Sequence, residues 1–336
     1  MDTDLGKLDL LGLMPCPLRL PFQELSIRKA REIEERTGRH LRVASYGMMY
    51  KKPVKDLFSR TDIDQWPSAV FFFGLGPFFT DRFKKLFIEP GYFEAICTER
   101  NNPIMEKLGM YDPKGIYDVL GFSPYFLMVD KTMRPDMPTP KGWVDMTTEP
   151  FRGTIGFKGR EPDPFCDMTL LSVQKFGGDE ALENLGKNVA YRISCAEMCR
   201  IAGSRRPEAP QISVLPWTFA KSRTETDRVK FVCPEEGAAC LPLMCLTKKT
   251  ADDTVKEYVR SLCTAEEAFN FHKAGFMTAA SDYDMGFNNY YWFGWDFLHG
   301  NFAQNMQKCN MLAHKHYSGP VTEVKEVKKE SIPCSC

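Results

Sequence analysis

The stretch Val229 to Phe276, VKFVCPEEGAACLPLMCLTKKTADDTVKEYVRSLCTAEEAFNFHKAGF, decides the fold. Val229, Phe231 and Cys233 alternate with polar neighbours, the period of a half-buried strand. Pro234 and Gly237 punctuate the run as a turn. Ala238 to Leu246 carries no charge and suits a strand buried on both faces. Val255, Tyr258, Val259 and Leu262 share one helical face. Thr264 with Glu267 three residues on forms a capping-box pattern, and Gly275 fits the C′ position of the helix that follows. The order is therefore strand, turn, buried strand, helix, helix.

The whole chain has 336 residues, enough for about two domains. At 43% hydrophobic and 26% charged it has the composition of a globular protein with real cores. Its 44 basic and 44 acidic residues balance, so net charge draws it neither to nucleic acid nor to a membrane surface. The longest strongly apolar run, Val70 to Phe79, is interrupted by Gly74, Gly76 and Pro77 and is too short to span a bilayer, which takes about 20 residues.

Asp2, Asp4 and Asp9 stand where a secretory signal would be basic or apolar. Leu13-Met14-Pro15-Cys16 ends like a lipoprotein cleavage site but lacks the small residues before the cysteine. Twelve cysteines are many for an exported binding protein and too scattered for a disulfide framework. These features lead to the expectation of a reduced, cytoplasmic protein. The alternative is a periplasmic or extracellular one whose signal has been removed.

Taken in order, residues 1 to 19 read as an extension, with Cys16 held non-helical between Pro15 and Pro17. Pro21 opens an amphipathic helix that Gly38 closes. Leu41 to Gly47 is a short strand, and Ser68 to Phe73 is another that ends in Gly74-Leu75-Gly76-Pro77. Tyr117 to Asp130 is a long apolar run around Ser123-Pro124. Pro138 to Met146 is a proline-rich linker containing Trp143-Val144-Asp145. Phe151 to Gly156 and Gln211 to Leu215 read as strands. Ser194, with Glu197 at N3, caps a helix that Gly203 closes.

This order resembles the type II solute-binding proteins, the two-lobed receptors of ABC importers. The turn Pro234-Glu235-Glu236-Gly237 with the strand after it matches their return crossover, and Tyr117 to Asp130 the outward one. Pro140-Lys141-Gly142-Trp143-Val144-Asp145-Met146, Phe151 to Ile155 and Asp163-Pro164-Phe165-Cys166-Asp167 fit further family patterns. The resemblance covers about residues 38 to 285 and is nearest to the iron- and small-solute receptors. Pro216-Trp217-Thr218-Phe219 stands where the iron-binding members carry paired tyrosines, which puts ferric iron in doubt as the ligand.

The resemblance implies an α/β, two-lobed type II solute-binding-protein fold with two crossover strands and an interlobe cleft. Residues 1–37 would be an N-terminal extension and helix. Residues 38–128 with 240–287 would form lobe 1, residues 129–239 lobe 2, and residues 288–336 an aromatic segment and tail. It implies ligand contacts from Ser45, Tyr46, Gly74, Gly76, Ser123, Cys166, Ser194, Trp217 and Thr218, a small-molecule or metal-containing ligand, and an ABC transporter as partner. Asn288 to His299 holds six aromatics and serves either packing or contact with another protein.

The chemistry-bearing candidates are thiols. Cys195 and Cys199 lie one turn apart on one helical face, in first turns where the dipole favours thiolate. Cys166 precedes another helix start, and Cys16 sits on the extension. Four thiols converging in the cleft would suit an iron–sulfur cluster or a soft metal ion. The alternative is that they are small buried apolar residues. No G-x-S-x-G, H-E-x-x-H or Walker pattern occurs, so binding rather than catalysis is expected. The rival functions are an intracellular metallo- or redox protein using those cysteines and an assembly subunit using the aromatic segment.

Overall fold

The computed structural model describes residues 5–47, 51–158 and 167–317, apart from the side chains of 51–54 and 167. Strand β1 (Leu10–Met14) leads into helix α1 (Cys16–Thr37), followed by β2 (Val43–Gly47), α2 (Lys51–Ser59) and β3 (Ala69–Phe73). A short helix α3 (Asp81–Phe83), which widens into a π-helical turn, precedes β4 (Phe93–Glu94), α4 (Pro103–Lys107) and the long β5 (Asp118–Asp130). Then come β6 (Ile155–Phe157), α5 (Asp167–Asn188), β7 (Val189–Arg192), α6 (Cys195–Ile201), β8 (Ile212–Pro216), α7 (Trp217–Ala220) and β9 (Val229–Val232). The chain ends its described part through β10 (Ala238–Lys248), α8 (Asp253–Ser261), α9 (Ala265–Lys273), β11 (Met277–Thr278), β12 (Tyr290–Tyr291), α10 (Trp295–His299) and α11 (Phe302–Lys315). Helix α5 is broken at Gly178, whose φ of 74° is not helical.

The sheet runs β2-β1-β3-β10-β5-β8-β6-β7. Within it one five-strand order occurs twice. In lobe 1, β2, β1 and β3 are parallel, and β10 lies antiparallel to β3 and to β5. In lobe 2, β7, β6 and β8 are parallel, and β5 lies antiparallel to β8 and to β9. Strand β5 serves both halves: Asp118 to Tyr125 pairs with β10, and Tyr125 to Val129 pairs with β8. Every residue of β5 and β10 is buried, as near-continuous apolar runs charged only at their ends require. These are the two expected crossover strands, and Cys240 lies opposite Pro124 between them.

Four local expectations need correction. Residues 1–37 do not stand ahead of the fold: Leu10–Met14 is the middle strand of lobe 1's parallel trio. Cys16 is the first residue of α1, and Pro17 is tolerated because first-turn N–H groups have no helical partner. Pro21 lies inside the helix, and Gly38 with φ of 73° ends it as expected. The capping box at Thr264 does not form. Glu267 turns instead to α1, where its buried carboxylate accepts from Arg28 Nη2 at 2.7 Å and pairs with Lys29 Nζ at 3.2 Å.

The aromatic segment is core. Tyr290 and Tyr291 pair with the start of β10, Trp295 packs on Phe79 and Tyr117, and α11 packs along α5. Trp295 Nε1 donates to Met110 O at 2.9 Å. Of the two roles open to residues 288–299, packing is the one its largest rings take, since Tyr290, Tyr291, Trp292 and Trp295 are all buried. One main apolar cluster runs through both lobes, and a second lies beneath α6 and α7 around Phe126, Met128 and Leu215.

Candidate functional site

Strand direction locates the site. Strand β5 runs from lobe 1 into lobe 2 and β10 runs back. Because β3 is antiparallel to β10, it and its parallel neighbours point their carboxyl ends at lobe 2. Because β8 is antiparallel to β5, it and its neighbours point theirs at lobe 1. Two sets of carboxyl ends thus face one crevice, the position where open α/β sheets bind ligands.

The lobe 1 rim is Met14-Pro15-Cys16, Tyr46-Gly47 and Gly74 to Pro77, following β1, β2 and β3 respectively. Cys16 is exposed there. Gly74 has φ of 101° and Gly76 φ of 38°, so the turn that leaves β3 needs residues without a side chain. Gly74 N donates to Pro242 O at 2.8 Å, which fastens the turn to the return crossover. Ser45 is not at the rim. Its Oγ is enclosed beneath α1, near Gly12 and Phe22.

The lobe 2 rim is Phe157-Lys158, Arg192-Ile193-Ser194 and Pro216-Trp217-Thr218. Ser194 caps α6 as expected, its Oγ accepting from Glu197 N at 3.2 Å. Ser123 and Thr218 are buried and used for structure. Ser123 Oγ accepts from Thr218 N at 3.0 Å, and Thr218 Oγ1 donates to Ala274 O at 2.6 Å. Together they pin the rim to β5 and to the end of α9. Trp217 is half-buried and meets Phe126, Phe231 and Phe287 with ring centroids 5.3, 5.6 and 5.3 Å away. Helices α1 and α7 touch across the lobes at this level.

The thiols are not arranged as the sequence suggested. Cys195 and Cys199 do share a face of α6, but that face is buried against Phe126, Met128, Leu215, Ala220 and Val229. Burial raises the Cys199 thiol to about 11, so the dipole of this short helix does not make it a thiolate. Cys166 lies outside the described residues. Among the described residues no group of three or more His, Cys, Asp or Glu side chains is placed to hold a metal ion.

Sequence reasoning missed Arg192, a buried arginine in the last position of β7. The available signal was positional: it is the residue at a strand's carboxyl end, two before a helix cap. Arg205 and Arg206, the arginines of the loop after α6, are exposed.

The model of the family described as bacterial extracellular solute-binding protein matches residues 65–301. Solved structures share the fold. A ferric binding protein from Campylobacter jejuni superposes with a TM-score of 0.63 at 10% identity, covering 92% of this chain and 99% of that one. An ABC transporter from Clostridium perfringens gives 0.60 at 12% identity, covering 91% and 100%. The spermidine/putrescine ABC transporter substrate-binding protein PotD from Streptococcus pneumoniae gives 0.54 at 11% identity, covering 90% and 98%. No curated protein matches the sequence. The family is extracellular, which overturns the cytoplasmic expectation. The cysteine count misled because Cys195, Cys199, Cys240, Cys245 and Cys309 are buried core residues, and packing of that kind carries no information about compartment. No described helix is long and apolar enough to cross a membrane.

Proposed function

The chain belongs to the bacterial extracellular solute-binding protein family, and from that premise we propose that it captures an organic solute between its lobes and delivers it to an ABC-type importer. The observation that carries this reading is the pair of opposed strand sets whose carboxyl ends share one crevice, linked by the crossovers β5 and β10. Two strands make a hinge that lets the lobes close on a ligand.

Trp217 supports an organic solute over a bare ferric ion. Where the resembled iron receptors carry tyrosines, this chain offers an indole whose ring has no anionic oxygen for a hard cation. Trp66, Trp143, Trp292 and Trp295 are buried, whereas Trp217 keeps an exposed edge for a ligand to meet. A flat or apolar ligand face stacks on such a ring. Tyr46, Gly74, Gly76 and Ser194 complete the rim in this reading.

The test is thermal denaturation of the purified chain against a panel of polyamines, amino acids, nucleosides, ferric citrate and ferric nitrilotriacetate. A ligand that binds only the folded state raises Tm with concentration. The expected result is a saturable rise with one organic class, and a Trp217→Ala variant that still unfolds cooperatively, at a lower ligand-free Tm, and binds about tenfold more weakly. A rise with both ferric compounds, accompanied by colour, would overturn the reading. So would equal affinity in the variant.

A further inference from the structure

At the lobe 1 foot of β5, away from the crevice, three cysteines from three elements gather around Asp118. Cys97 lies in the loop after β4, Cys245 stands opposite Asp118 in the β10 ladder, and Cys263 lies in the joint between α8 and α9. The Asp118 carboxylate accepts from Ile96 N at 2.8 Å and Cys97 N at 3.0 Å, which fixes the backbone under Cys97. The joint grips the same loop from its other side. Arg260 Nε donates to Ile96 O at 3.2 Å, and Ala265 N donates to the Glu99 carboxylate at 2.8 Å.

The last two of these four bonds hold residues 96–99 against 260–265. They leave the Cys97 and Cys263 side chains lining one small recess with Arg100 and Tyr111 at its edge. The two thiols are electrostatic neighbours across that recess. Both are half-buried, whereas Cys245 is fully enclosed and turned to Thr247 Oγ1 at 3.6 Å.

We propose that Cys97 and Cys263 are a modification site that closes to an intrachain disulfide on meeting a low-molecular-weight disulfide. The proposal rests on this cluster and is independent of what the crevice binds. An extracellular family meets such oxidants, and a reducing cytosol would keep the pair open. In the first step the Cys97 thiolate attacks one sulfur of the small disulfide, forming a mixed disulfide and releasing one small thiolate. In the second, the Cys263 thiolate attacks the Cys97 sulfur and releases the other small thiolate. The two protons lost by the cysteines end on the two released thiols, so two cysteines are oxidised and one small disulfide is reduced.

The environment sets the order of attack. The Cys263 thiol donates to Val259 O at 3.3 Å. As a neighbour Cys263 favours the Cys97 thiolate, although burial and the Asp118 charge outweigh it and leave that thiol above its ordinary value. Cys263 is pushed much higher, first by burial and then by Cys97. Cys97 is thus the better nucleophile and Cys263 the resolving thiol. The bond would join positions far apart in the chain, so it restricts the unfolded ensemble strongly.

The experiment uses the full chain, reduced, desalted, incubated with glutathione disulfide, blocked with N-ethylmaleimide and digested with trypsin without reduction. The expected product joins peptide 86–100, which holds Cys97, to peptide 261–273, which holds Cys263, lighter by two hydrogen atoms than the sum of the two. The urea midpoint of the oxidised chain should lie above that of the reduced chain, and dithiothreitol should reverse the shift. Cys97→Ser and Cys263→Ser should each abolish the shift, and Cys245→Ala should keep it. Maleimide on both cysteines, a stable glutathione adduct on either one, or a bridge to Cys245 would each overturn the proposal.

Discussion

The two lobes repeat one strand order and fill it with different side chains. Lobe 1 packs rings. Trp66 lies among Phe58, Phe83 and Phe87 at centroid distances of 5.5, 5.5 and 4.8 Å, and Phe72 stacks on Phe78 at 3.6 Å. Beneath α6 in lobe 2, sulfur and small groups, Met128, Cys195, Met198, Cys199 and Ala202, share the filling with Phe126, Leu215 and Val229. The common order therefore does not come from a common core. It comes from strand lengths, connection lengths and the direction each crossover must run. The cores only have to be apolar and of the right volume. Rigid rings specify one packing, whereas unbranched Met and small Cys fill irregular gaps under a seven-residue helix.

The largest expected effect tests the aromatic side of this contrast. Trp66→Ala should cost about 3–5 kcal/mol, because the rings around Trp66 cannot collapse into the space it leaves. Urea unfolding of Trp66→Ala beside Met198→Ala measures it. An equal or larger loss for Met198→Ala would break the contrast between a rigid and an adaptable core.

The next effect concerns the two ends of β5, the strand both lobes share. Each end carries a buried aspartate that accepts backbone N–H groups from a neighbouring loop: Asp118 from Ile96 and Cys97, Asp130 from Thr132 and Gly203. Burial raises the Asp118 carboxyl to about 6, against the pull of its two N–H partners. Its folded pKa lies above the unfolded value, so its contribution to stability is full below about pH 4 and is lost as pH rises through about 6. The loss amounts to about 3 kcal/mol. Stability of the natural chain relative to Asp118→Asn, followed by urea unfolding from pH 4 to 7, should fall by that order. Parallel curves would show that Asp118 does not titrate there.

The smallest effect sharpens the sulfur side. Cys199→Ser places a hydroxyl in an apolar cluster and should cost on the order of 1–2 kcal/mol. A thiol serving a solvated ligand site would tolerate serine with no loss of Tm.

Much of the fold was legible in particular residues. The uncharged runs around Pro124 and Leu243 announced two strands buried on both faces, and Gly38, Ser194 and Gly275 marked helix ends by local chemistry alone. Leu10–Met14 was not legible as a core strand. It is short and followed by prolines, and the strands that flank it, β2 and β3, arrive much later in the chain. Of the rim, Trp217 and the two glycines were legible as turn and strand-end residues. Ser123 and Thr218 were not legible as structural pins, because the groups they bond to are remote in sequence.

The sequence by itself determined which residues share a face. Helical phase puts Cys195 beside Cys199, and strand period puts Ser123 and Tyr125 on one side of β5. Only the tertiary structure decided what each face meets. Cys195 and Cys199 met Phe126 and Met128, while Cys97 came to line one recess with Cys263, on a loop that Asp118 and Arg260 hold in place. The reason is physical: local periodicity fixes the direction of a side chain relative to its own backbone. The partner it reaches depends on contacts between segments far apart in the chain, and those form only when the whole sheet closes.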